Sequence, residues 1–168
     1  CQVLIQMPWK VWSAAEKDTA LTIDRLLSLQ ETWSSLGDLE ARRGRVAAAM
    51  DAYQRALQAA RELIAAEDTP SNRQKVAGRL GELADVVSGR GNLAMAAELL
   101  KEQVAILETD AKDNDSEIII DLAFALIEQA DLLSRMGAET DAKARLKHAV
   151  KSLARLDRKK LDGESGPL

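Results

Sequence analysis

The stretch Trp33–Leu57, WSSLGDLEARRGRVAAAMDAYQRAL, sets Gly44 between two helix-favouring runs and follows it with a row of alanines. Inside one continuous helix Gly44 would cost about 1 kcal/mol relative to alanine, so the stretch reads better as two helices and a corner. The corner recurs: Gly44 is followed by Gly91 and Gly137, at spacings of 47 and 46 residues. The same offsets carry Ala49 onto Ala96 and Ala142, Tyr53 onto Leu100 and Leu146, Trp33 onto Leu80 and Leu126, and Gly37 onto Ala84 and Ala130. Two columns change character, since Leu36 and Leu83 give way to Gln129, and Glu40 is followed by Val87 and Leu133. So many matched columns at one offset mark an internal repeat.

Each pass reads as a helical hairpin. Apolar residues recur every three or four positions before the glycine, as in Leu80, Leu83, Val86 and Val87, and again after it, as in Val46, Met50, Tyr53 and Leu57. A corner of one or two residues forces the helices antiparallel, and glycine accepts the left-handed conformation that closes a helix C-terminus. The small columns Gly37/Ala84/Ala130 and Ala49/Ala96/Ala142 let paired helices approach closely. Polar links separate the hairpins. EDTPSN offers Thr69 as a cap with Pro70 in the first turn. DAKDNDSE offers Asn114 or Ser116, and Ser13 with Glu16 has capping-box spacing. The pattern predicts helices at 13–43, 45–67, 70–90, 92–111, 115–136 and 138–160. They form a repeat domain over 13–161, with an N-terminal extension at 1–12 and a flexible tail at 162–168. The expected fold is all-α, a right-handed superhelical stack of three antiparallel hairpins, with at most two or three extended residues before Pro8.

Composition agrees with this. A hydrophobic content of 46% in 168 residues supports one core, and 3% aromatic content suits close helix packing better than strands. The net charge of -4 attracts neither nucleic acid nor an anionic membrane, so neither is expected as a partner. No apolar run approaches the roughly 20 residues that span a bilayer. Cys1 is the single cysteine, which leaves no internal disulfide and no cysteine zinc site and points to the cytoplasm. The lesser alternative is a lipid anchor on Cys1, because Val3, Leu4 and Ile5 make a poor tether.

The columns Trp33, Leu36, Gly37, Gly44, Ala49, Tyr53 and Ala56 resemble the tetratricopeptide repeat in order and spacing. The later passes match it more weakly, with Gln103 standing where Ala56 and Ala149 stand. The period is longer than that family's usual 34 residues and is similar to long-period repeats of bacterial regulatory proteins. The resemblance spans about residues 30 to 155 and implies a binding role, with the first helix of each hairpin turned toward a concave groove.

Catalysis finds little support. His148 is the only histidine, placed on the outer flank of the last helix, and the Ser88–Asn92 stretch SGRGN is a helix corner rather than a phosphate loop. DNDSE lacks a calcium loop's glycine, with Ile118 in its place. No cofactor and no metal are expected, and the chain is read as a non-enzyme. The resemblance places Ser34, Ser35, Asp38 and Arg42 on the groove, then Glu82 and Asp85 with Gly81 and Gly89, then Glu128, Asp131 and Arg135 with Ile127. An aspartate recurs in every pass. This acidic ladder either receives basic side chains of a partner or pairs locally, as Asp38 with Arg42 and Asp131 with Arg135. Charge also divides along the chain. Glu98–Asp121 holds eight acidic and two basic residues, and Asp141–Lys160 eight basic and two acidic. No aromatic residue interleaves RLDRKKL for stacking on a single strand of nucleic acid.

The function expected is a non-catalytic protein- or peptide-binding scaffold, the sensor or interaction segment of a larger bacterial regulatory protein, with a partner that carries basic residues. The alternatives are a structural module that forms a homo-oligomer and the non-catalytic part of a multidomain enzyme.

Overall fold

A computed structural model describes residues 14–111 and 115–164. They form six helices and no strand: α1 (Ala14–Arg42), α2 (Val46–Ala66), α3 (Pro70–Gly89), α4 (Leu93–Asp110), α5 (Ser116–Arg135) and α6 (Glu139–Glu164). Each helix packs chiefly on its neighbours in sequence, and α3 also touches α5. The chain is therefore an all-α stack of three helical hairpins. Expected and observed helix ends agree closely except at the C-terminus. There α6 continues to Glu164, past the expected start of a tail at 162. No proline interrupts the helix before Pro167. The expectations for Cys1, for the extended residues before Pro8, for the Ser13–Glu16 box and for Asn114 lie outside the described residues.

All three corners close in one way. Gly44, Gly91 and Gly137 have φ of 72°, 82° and 81°, the left-handed region that side chains avoid. The amide after each glycine donates to a carbonyl five residues back: Arg45 to Glu40 at 2.9 Å, Asn92 to Val87 at 3.2 Å, and Ala138 to Leu133 at 2.9 Å. Each glycine amide donates three residues back, to Ala41, Ser88 and Ser134, all at 2.9 Å. These paired bonds satisfy carbonyls that a helix end leaves orphaned. The column Glu40/Val87/Leu133, which varies freely in side chain, is thus held together by its backbone.

The small columns pack as their residues require. Ala49, Ala96 and Ala142 are buried, as are Gly37, Ala84 and Ala130. The reason for glycine at the first of these is steric, because a Cβ on Gly37 would lie 2.5 Å from the Tyr53 ring. Two core clusters share the middle of the stack. One gathers Tyr53, Leu57, Leu80, Leu83, Val87 and Leu100, and the other Val104, Leu107, Ile119, Leu122 and Leu126. Thr69 caps α3 by accepting from the Asn72 amide at 3.2 Å. At α5 the cap is Asp115, which accepts from the Glu117 amide at 2.9 Å, while Ser116 is the first helical residue.

The repeat register fails to bury its last member. Tyr53 and Leu100 are 4% and 5% exposed, but Leu146 is 45% exposed, because no described helix follows α6 to cover it. His148 is partly exposed on α6, with Nδ1 3.5 Å from Glu108 Oε1 of α4. No helix among the described residues is long and apolar enough to cross a membrane.

Candidate functional site

The first helices of the three hairpins, α1, α3 and α5, lie in a row. Ser34 of α1 donates its hydroxyl to Glu82 Oε2 of α3 at 2.9 Å, and Arg135 of α5 donates to the Ser88 carbonyl of α3 at 3.1 Å. These contacts set the faces predicted to form a groove beside one another. Between α3 and α5 opens a cleft of about 390 Å³. Asp85 and Ser88 line one wall, Ile127, Glu128, Asp131 and Arg135 the other, and Ala84, Leu100 and Leu132 lie beneath.

The structure thus brings Asp85, Glu128, Asp131 and Arg135 to one cleft and divides the remaining predicted residues. Ser34 is buried and already engaged with Glu82. Glu82 also pairs with Arg79 at 3.0 Å, so both its partners come from the protein itself. Asp38 accepts the Tyr53 hydroxyl at 2.7 Å and does not pair with Arg42, which makes no ion pair among the described residues. Ser35 and Arg42 are exposed on α1, outside the cleft between α3 and α5. The Asp131–Arg135 pair forms, but at a long 3.9 Å. Asp85 has no ion-pair partner among the described residues, and Gly89 stands where Arg135 pairs with Asp131 in the third hairpin.

Electrostatics accumulate around this row. Burial raises the pKa of Glu82 above its ordinary value despite the lowering by Arg79 and Ser34, and Asp38 adds to the rise. Burial likewise raises Glu128, with Asp85 as a second cause. Glu128 reaches solvent, yet the cleft walls desolvate its carboxyl enough to penalise the charge. Asp121, two turns before Glu128 on α5, is raised by burial and by Glu117 and Asp115. The Tyr53 hydroxyl is pushed up by burial, then by its bond to Asp38, with Glu82 and Asp85 contributing.

Beside the cleft lies a second hollow of about 190 Å³, with Glu128 common to both. Gln103 of α4 lines it together with Gly78 of α3, and Asp121 and Phe124 of α5 line it as well. Sequence reasoning set aside Gln103 as a departure from the repeat and missed Asp121 and Phe124. The signal available was the pair of exceptions in register: a glutamine in an alanine column, and Gly81 where Ser34 and Ile127 stand. A Cβ on Gly81 would lie 2.8 Å from Gln103 Nε2, so the glycine makes room for the amide.

The arrangement offers carboxylate acceptors and apolar surface. No group of three or more His, Cys, Asp or Glu among the described residues is placed to hold a metal ion. Protein-family models give no match to the chain, and no curated protein matches it. Among solved structures it is similar to the "Crystal structure of BtubC (BKLC) from P. vanneervenii", with a TM-score of 0.60 and 20% sequence identity. The match covers 86% of this chain and 59% of that one, so the chain spans well under two thirds of that protein. A likeness at this identity concerns the fold alone.

Proposed function

We propose that this chain is a non-catalytic scaffold of tetratricopeptide type whose concave face binds a peptide or protein segment bearing basic residues. The observation that carries the reading is the α3–α5 cleft. Asp85, Glu128 and Asp131 face it across an apolar floor, with Arg135 as the cation among its lining residues. A lysine or arginine placed there gains three carboxylates, while an acidic segment meets repulsion. The setting is an interaction or sensor segment of a larger bacterial cytoplasmic protein. The test is selection from an unbiased random-peptide library, followed by titration of the recovered peptides against wild type and Asp85→Asn at two salt concentrations. Recovered sequences rich in Lys and Arg, bound more weakly by Asp85→Asn and more weakly at high salt, support the reading. Equal affinities for the two proteins would retire it.

A second reading, self-association, is favoured by α6. Leu146, Val150 and Leu153 form an exposed apolar stripe at 45%, 68% and 39% exposure. They occupy the register of Leu100, Val104 and Leu107, which are buried. Sedimentation velocity over a concentration series tests it. A mass that rises with concentration, and returns to monomer in Val150→Lys, supports assembly through this face.

A further inference from the structure

The hollow at Gln103 asks more of its occupant than the cleft does. Gln103 is 9% exposed, and its buried Oε1 has no hydrogen-bond partner among the described residues. A buried amide oxygen without a donor is costly, on the order of 1–3 kcal/mol, and the repeat offers an inexpensive alternative. Alanine fills the equivalent positions 56 and 149, both buried and well packed. The chain departs from its own pattern twice to install this amide, with glutamine at 103 and glycine at 81 to clear its path. The hollow above it is bounded by carboxylates at both ends, Glu128 and Asp121, two turns apart on α5. Phe124 lies between them with 62% of its surface exposed, an unusual state for the chain's single phenylalanine.

We propose that this hollow is a specificity pocket for one arginine side chain of the segment bound in the neighbouring cleft. The inference rests on the groove reading and names the residue type that the groove selects. Arginine fits each element separately. Its guanidinium carries five donors in a planar fork, enough to serve Gln103 Oε1 and a carboxylate together. Its plane stacks on the exposed Phe124 ring, and its charge is met by Glu128 and Asp121. Lysine supplies the charge but neither the plane nor the fork, and citrulline supplies the plane without the charge.

The test uses a capped, fluorescein-labelled heptapeptide with one central arginine flanked by lysines, and two counterparts with lysine or citrulline at the centre. Fluorescence anisotropy on the full chain gives affinities, and the Gln103 side-chain amide resonance reports occupancy. The expected result is that the arginine peptide binds about tenfold more tightly than the lysine peptide, as one charge-assisted hydrogen bond allows. It should also shift the Gln103 amide resonance. Gln103→Ala restores the residue of the other two hairpins, so it should fold, and it should abolish the preference for arginine over lysine. Gly81→Ala, which crowds the amide, should reduce the preference as well. If Asp85→Asn weakens all basic peptides but Gln103→Ala leaves the arginine preference intact, the pocket is overturned and the groove stands. Absence of binding by any of the three peptides would overturn pocket and groove together.

Discussion

At Gly37 and Gly78 the same substitution should act in opposite directions. Alanine in a helix interior is favoured over glycine by about 0.5–1 kcal/mol. At Gly78 nothing lies within 4 Å of the added methyl, so Gly78→Ala should gain roughly that amount. At Gly37 the methyl would meet three atoms of the Tyr53 ring at 2.5 to 2.8 Å. That ring is buried and held by its hydroxyl to Asp38, so it has little freedom to retreat. Gly37→Ala should therefore cost about 1–3 kcal/mol, the range for overpacking a filled core. Urea denaturation of the two variants measures both. A Gly37→Ala midpoint at or above wild type would show that the α1–α2 contact is looser than described.

Among elements, α3 and α4 are joined by the most buried charge among the described residues, Asp110. Arg73 binds Asp110 through Nε at 2.9 Å and through a terminal nitrogen at 2.7 Å, and it reaches Asp68 at 2.6 Å. Both partners hold the guanidinium in its charged form. Asp110 is almost fully buried, so Arg73→Met would leave a carboxylate without its cation. The loss should be about 3–5 kcal/mol, and Asp110→Asn should cost less because no unpaired charge remains. Calorimetric unfolding of the two variants checks the order. This staple was invisible in the sequence, since its residues are 37 positions apart and no local spacing marks them. The helices themselves were legible, because Gly44, Gly91 and Gly137 each carry a conformation that sequence encodes in one residue. Local pairing was legible only in part. Asp38 and Arg42 have the right spacing, but the Tyr53 hydroxyl takes Asp38 from the next helix. The cap of α5 was ambiguous because Asn114, Asp115 and Ser116 are all competent, and only backbone geometry selects Asp115. Of the candidate site, Asp85, Glu128, Asp131 and Arg135 were placed by the repeat register taken together with the family resemblance. Gln103 needed its neighbour Gly81 to be understood.

The whole molecule sets stability against recognition at its acidic face. Glu128 titrates above its ordinary value, so between the unfolded and folded pKa the folded state holds more protons. Its contribution to stability therefore falls as pH rises through that window and is most favourable below it. Glu128→Gln should accordingly stabilise the protein at neutral pH, with the advantage shrinking as pH falls into the ordinary carboxylate range. The same substitution should weaken binding of a lysine- and arginine-bearing peptide, whose affinity for wild type should decline as acid neutralises the cleft. Thermal melts and peptide titrations across a pH series check the two opposite trends. The most direct measurement for the groove itself is chemical-shift mapping of a library-selected basic peptide on the isotope-labelled chain. The predicted result is a contiguous set of shifted amides at Asp85, Ser88, Glu128 and Asp131, attenuated in Asp85→Asn. Shifts confined to the α6 stripe at Leu146, Val150 and Leu153, with the α3–α5 cleft unmoved, would contradict the account.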